Sequence, residues 1–104
     1  MTDATNAVLA DIATERAAQD AIFGEQNLPD GTGSATYRLQ ADDKRFLCDR
    51  AFTQGMGTFR HVFLEEVYEA MAESDPAKLR AELVQAVAVG VKWIEAIDRR
   101  SANG

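Results

Sequence analysis

Three glutamates and a glutamine have the residue types and spacing to do chemistry. In the segment LEEVYEAMAE, Glu66 and Glu69 stand three positions apart, which on a helix sets their side chains at neighbouring points of one face. Glu82 and Gln85 repeat that separation further along the chain. If two helices joined near Ser74 to Pro76 fold back antiparallel, Glu69 and Glu82 lie about equally far from the turn and the two pairs come side by side. Three carboxylates and an amide oxygen make a hard, all-oxygen donor set that suits magnesium or manganese and suits zinc poorly. An empty cluster of this kind repels itself. A divalent cation relieves the repulsion and keeps coordination positions for water and phosphate oxygens. Glutamates three apart also occur on ordinary solvated helix faces, and spacing alone leaves that reading open.

The elements that must position these residues are helices. Thr2 or Asp3 can cap a first helix over roughly residues 4 to 22, with Val8 and Ile12 among its apolar positions. Gly24 opens the polar stretch GEQNLPDGTGSA, where Pro29, Asp30, Gly31 and Gly33 supply turn chemistry and stop the helix. In so small a domain a loop of this length is expected to be functional or mobile. A second helix starts near Thr36 or Ala41 and runs to Thr53, with Leu39, Phe46, Leu47, Arg50 and Ala51 at mixed intervals of three and four. Gly55 and Gly57 follow it. Thr58 is a good cap for a third helix to about Glu73, and Asp75 with Pro76 starts a fourth that reaches about Arg99. The fourth is apolar around much of its circumference: Leu79, Leu83, Ala86, Val87, Val89, Val91, Trp93, Ile94 and Ile97 do not fit one narrow stripe, so it must be covered on several sides, by the other helices and by another copy of the chain. The expected architecture is all-α: one domain over residues 1–104, an antiparallel bundle of about four helices that forms oligomers, with a frayed tail at 101–104.

Composition narrows the partners. With 104 residues, 46% of them hydrophobic, the chain suffices for one core. Seventeen acidic against eleven basic residues give a net charge of -6, and no basic stripe interrupts it, so polymeric nucleic acid is not an expected partner. A small anionic substrate stays compatible, because a bound divalent cation inverts the field of an acidic site. Cys48 is the single cysteine, which precludes an internal disulfide, fits a reducing cytoplasm and reads most simply as a small buried helix residue. Asp3, Asp11 and Glu15 break up the first twenty residues, so no secretory signal is expected. The apolar run from Leu83 to Val91 contains Gln85 and meets Lys92 too soon to span a bilayer, and no membrane partner is expected.

Taken together, these features resemble the MazG-like superfamily of all-helical nucleotide pyrophosphohydrolases, whose pattern is E-E-x-x-E on one helix and E-x-x-D on the next. Glu65, Glu66 and Glu69 match the first element and Glu82 opens the second, while Gln85 stands where the family usually has aspartate. The resemblance extends to short actinobacterial and phage-type members through Glu15, Arg16, Gln19 and Asp20, then Phe23 with Gly24, Glu25 and Gln26, then Pro29 to Gly33, and the two later helices. It is weakest over residues 34–57. Gln85 also looks familiar in that short group, which marks it as a subgroup trait.

The resemblance implies cleavage between the α and β phosphates of a nucleoside triphosphate, giving the monophosphate and pyrophosphate. Glu66, Glu69 and Glu82 would be magnesium ligands, with manganese able to substitute, and Gln85 a weaker or water-mediated one. Glu65 would position or deprotonate the attacking water, or else serve as an exposed ion-pairing residue. Lys92, seven residues beyond Gln85, could reach a phosphate or the sugar, or snorkel at the surface. Trp93 could stack on a base or fill an apolar interface, and Phe23 with Glu25 and Gln26 could close over the base from the loop. Arg60 is a candidate phosphate contact. His61, the sole histidine, lacks the paired E-x-x-H arrangement of di-iron bundles. DGTGS lacks the following G-K-[ST] of a phosphate loop. The expected assembly is a homodimer or a dimer of dimers, and the alternative function is a catalytically weak or inactive helical module that holds a nucleotide or a protein.

Overall fold

The computed structural model describes residues 2–103 and consists of four helices: α1 (Asp3–Phe23), α2 (Ala35–Thr53), α3 (Phe59–Ala72) and α4 (Pro76–Asn103). No strand occurs among the described residues. Each helix begins where a side chain can accept a hydrogen bond from an otherwise unpaired backbone N–H. Thr2 Oγ1 accepts from Thr5 N at 3.1 Å, Ser34 Oγ from Tyr37 N at 3.1 Å and Thr58 Oγ1 from His61 N at 3.3 Å. Asp75 Oδ2 accepts from Lys78 N at 3.0 Å, with Pro76 in the first turn where its missing N–H costs nothing. α2 starts at Ala35, next to the first of the two expected positions, because Ser34 is its cap. α4 runs past the expected end at Arg99: no glycine or proline interrupts Arg100 to Asn103, so most of the expected frayed tail is helical, and Gly104 lies outside the described residues.

The residues divide into two compact units, one comprising residues 31–90 and the other residues 1–30 with 91–104. In the first, α2 packs against α3, and the buried residues of these two helices are small: Ala41, Cys48 and Ala51 on α2 and Ala70 on α3. Small residues let two helices approach closely. The larger apolar residues Leu39 and Phe46 of α2 remain 71% and 60% exposed. Lys44 Nζ lies 5.4 Å from the ring centre of Tyr68, a cation–π link between the same two helices. From α4, Leu79 and Ala86 are buried in this unit.

In the second unit Val8 on α1 is 1% exposed and Val91 on α4 is buried. Thr5 Oγ1 donates to Glu95 Oε1 at 3.2 Å. The polar residues of α1 hold one another: Arg16 pairs with Asp20 at 2.9 Å and with Gln19 at 3.2 Å, and Gln19 donates to Glu15 at 3.1 Å. Among the described residues, no helix is long and apolar enough to cross a membrane.

Candidate metal centre

Glu66 and Glu69 come from adjacent turns of α3, and Glu82 comes from the second turn of α4 across the short Glu73–Asp75 connection. Asp75 holds that connection by capping α4 and by donating its own N–H to Glu73 Oε1 at 3.0 Å. The result brings one carboxylate oxygen from each of Glu66, Glu69 and Glu82 within 4.8 Å of one another. All three residues are half-buried. Oε2 of Glu66 and Oε2 of Glu82 are fully buried and have no hydrogen-bond partner among the described residues. Buried polar atoms in folded proteins are nearly always satisfied by protein or by ordered water, so these two oxygens are where a water or a cation would fit.

The electrostatics follow from that crowding. Burial raises the carboxyl of Glu66 above its ordinary value, and the charges of Glu69, Glu65 and Glu82 raise it further. Burial also raises Glu82, with Glu69 and Glu73 adding to the shift and Arg45 opposing it. A divalent cation at these oxygens reverses both effects by favouring the ionised forms.

The cluster borders an open cleft of about 370 Å³ lined by Arg38, Ala41, Asp42 and Arg45 of α2, by Glu69, Ala72 and Glu73 at the end of α3, and by Glu82. Arg45 crosses from α2 to α3: its Nη2 is 3.3 Å from Glu69 Oε1, and its Nη1 is 3.6 Å from Asp42 Oδ1. Sequence reasoning missed this wall of the cleft. Its signal was Arg38 and Arg45 seven positions apart, hence two turns along one face, and alternating with the small residues Ala41 and Cys48.

The other expected site residues fall in different places. Glu65 is half-buried and faces α2, where the Cys48 thiol hydrogen-bonds to it; burial, this bond and the nearby charges of Glu65, Asp49 and Glu66 push the thiol up to about 12. Gln85 is exposed on α4. Arg60 is exposed at the start of α3 and does not line the cleft, while His61 Nδ1 lies 2.6 Å from the capping hydroxyl of Thr58. Phe23, Glu25 and Gln26, with Lys92 and Trp93, belong to the unit that does not contain the glutamate cluster. There Glu25 and Gln26 join Arg16, Gln19, Asp20 and Gly24 around a second hollow of about 570 Å³. Phe23 and Lys92 are exposed, and Trp93 is half-buried.

Compared with known protein families, with curated proteins and with solved structures, the chain matches none of them. The functional reading accordingly rests on the geometry of the cluster and cleft and on the motif resemblance.

Proposed function

We propose that the chain is a magnesium-dependent, MazG-like nucleoside triphosphate pyrophosphohydrolase of the cytoplasm, which opens the α–β phosphoanhydride to give a nucleoside monophosphate and pyrophosphate. The observation that supports it most is the convergence of Glu66, Glu69 and Glu82 within 4.8 Å beside a polar cleft. Their donors fit magnesium, and manganese next to it: all are hard carboxylate oxygens, and two of the buried ones lack any other partner. A cation held there would supply charge neutralisation for the triphosphate and Lewis acidity toward the attacking water.

The chain's own residues have distinct parts in this proposal. Glu66, Glu69 and Glu82 hold the cation. Glu65, next to Glu66 and beside the Cys48 thiol, orients the attacking water and accepts its proton; a carboxylate offers two acceptor oxygens, so its neighbour and the water can both be accommodated. Gln85, three residues beyond Glu82 and without charge, contributes through a water. Phe23, Glu25, Gln26, Arg60, Lys92 and Trp93 are carried in the proposal as nucleotide contacts on the motif resemblance alone.

The proposal includes a homodimer or a dimer of dimers. α4 leaves Val84 and Val87 each 55% exposed, and Leu39 and Phe46 of α2 add to the unburied apolar surface. Surfaces of this kind mark association sites. Light scattering at micromolar concentration is expected to give at least twice the chain mass of 11.4 kDa.

The deciding assay is pyrophosphate release from a panel of canonical and modified nucleoside triphosphates, with and without magnesium. Magnesium-dependent release from at least one of them is expected. The exposed, uncharged Gln85 favours one competing reading, a MazG-like module that binds a nucleotide or a protein without turnover, and that reading predicts no release from any member of the panel.

A further inference from the structure

We infer that Arg45 serves two partners in turn: it is the counter-ion of Glu69 while the glutamate cluster holds no cation, and it passes to a phosphate of the substrate once a divalent cation takes Glu69. The inference rests on the proposed reading of the cluster as a cation site for a nucleoside triphosphate, and it assigns a phosphate-binding group in the lining of the cleft itself.

The cleft beside the cluster has only two cationic side chains in its lining, Arg38 and Arg45, against four carboxylates. A triphosphate brings more negative charge than one divalent cation cancels, so a substrate in this cleft needs a further positive group. Arg38 is engaged elsewhere: its Nη1 donates to the backbone carbonyl of Gly33 at 2.6 Å and braces the loop. Arg45 is held loosely by comparison. Its contacts to Glu69 and Asp42, at 3.3 Å and 3.6 Å, are both longer than the distances at which a guanidinium and a carboxylate bind strongly, and its side chain is 52% exposed.

Glu69 is the shared partner. The same residue that accepts from Arg45 offers an oxygen to the three-glutamate cluster. A divalent cation on that carboxylate would withdraw its charge and repel the guanidinium, weakening the Arg45–Glu69 pair even where the two occupy different oxygens. Once displaced, Arg45 remains on the wall of the cleft with five N–H donors in a planar fork, a geometry that matches phosphate oxygens. One carboxylate thus couples loading of the cation to release of the phosphate-binding group.

The test measures two affinities that a structural residue would not move in opposite directions. Manganese binding is followed by electron paramagnetic resonance without nucleotide. Binding of the α,β-imido analogues of the four deoxynucleoside triphosphates is followed by calorimetry at saturating manganese. Arg45→Gln is expected to bind manganese about threefold tighter, because a competing surface ion pair is gone. It is expected to bind the analogue at least about tenfold more weakly, from the loss of charge-assisted hydrogen bonds. Arg45→Lys is expected to keep the wild-type manganese affinity and lose only part of the analogue affinity, since the charge stays and the fork is lost. If either affinity of Arg45→Gln stays unchanged, or both weaken, the exchange is wrong. Wild-type protein that binds both ligands beside an unaffected Arg45→Gln defeats this inference alone, whereas wild-type protein that binds neither defeats the underlying reading of the site as well.

Discussion

Gly33 donates its backbone N–H to the carbonyl of Met71 over 2.8 Å, which ties the end of the glycine-rich loop to the last turn of α3. Thr32 adds a hydrogen bond from its hydroxyl to the carbonyl of Glu73 at 2.6 Å. The loop is therefore anchored two residues beyond Glu69, beside the cleft. At Gly33 the anchoring has two requirements: φ is +93°, and a Cβ placed there would lie 2.6 Å from Cβ of Ser74.

Gly33→Ala is expected to destabilise the protein by roughly 3 kcal/mol, from left-handed strain and steric overlap together. Gly31→Ala shares the positive φ but meets nothing within 4 Å, and its expected cost is about 1–2 kcal/mol. Urea unfolding of the two variants checks this, and equal losses would show that the close approach to Ser74 has no energetic weight.

The elevated carboxyls of Glu66 and Glu82 make stability depend on pH in a definite direction. A carboxyl raised by folding stabilises the folded state fully below its unfolded value, near 4.5, and that contribution is lost as pH rises through the raised folded value. Glu66→Gln is neutral at every pH. Without divalent cations it is expected to melt about 2–6 °C above wild type at pH 7.5, with the gap closing toward pH 4.5. A gap that is absent, or that widens on acidification, contradicts the repulsion.

The helices and the glutamate cluster were legible in the sequence for local reasons. Thr58 and Asp75 are strong caps, and both start helices in the structure. Glu66, Glu69 and Glu82 follow from three-residue spacing and a short turn, which need no knowledge of the rest of the fold. The Arg45 wall was not legible, because it depends on which face of α2 meets α3. Periodicity weights large residues such as Leu39 and Phe46, yet those stay exposed, and the small Ala41, Cys48 and Ala51 are the buried ones. Glycines in DGTG read as flexibility, whereas Gly33 is needed for a fixed backbone conformation and a close approach.

Cys48 lies in the α2 face packed on α3, beside Glu65, with its thiol pushed up to about 12. Thiolate is the reactive form, so alkylation by iodoacetamide at pH 8 is expected to be at least about 10²-fold slower in the native protein than in the urea-unfolded chain. Mass spectrometry of timed samples measures both rates. Equal rates would place the thiol away from Glu65.

Gln85→Asp adds a charge three residues from Glu82 on the exposed side of α4. Magnesium binding is expected to tighten by roughly threefold to tenfold, as for one further carboxylate near a hard cation. Calorimetric titration of the substrate-free protein reads it. An unchanged affinity would remove position 85 from the site.

The central claim is that Glu66, Glu69 and Glu82 form one cation site that supports pyrophosphate release. Glu66→Gln, Glu69→Gln and Glu82→Gln each remove one anionic oxygen with little change of shape, so the most direct measurement is a magnesium titration of the three variants and wild type with pyrophosphate release as the readout. The account predicts that in each variant turnover falls at least about 10²-fold and magnesium affinity falls with it, while helical circular dichroism is unchanged. Three variants with wild-type turnover and wild-type magnesium dependence would make the cluster a solvated acidic face and contradict the account.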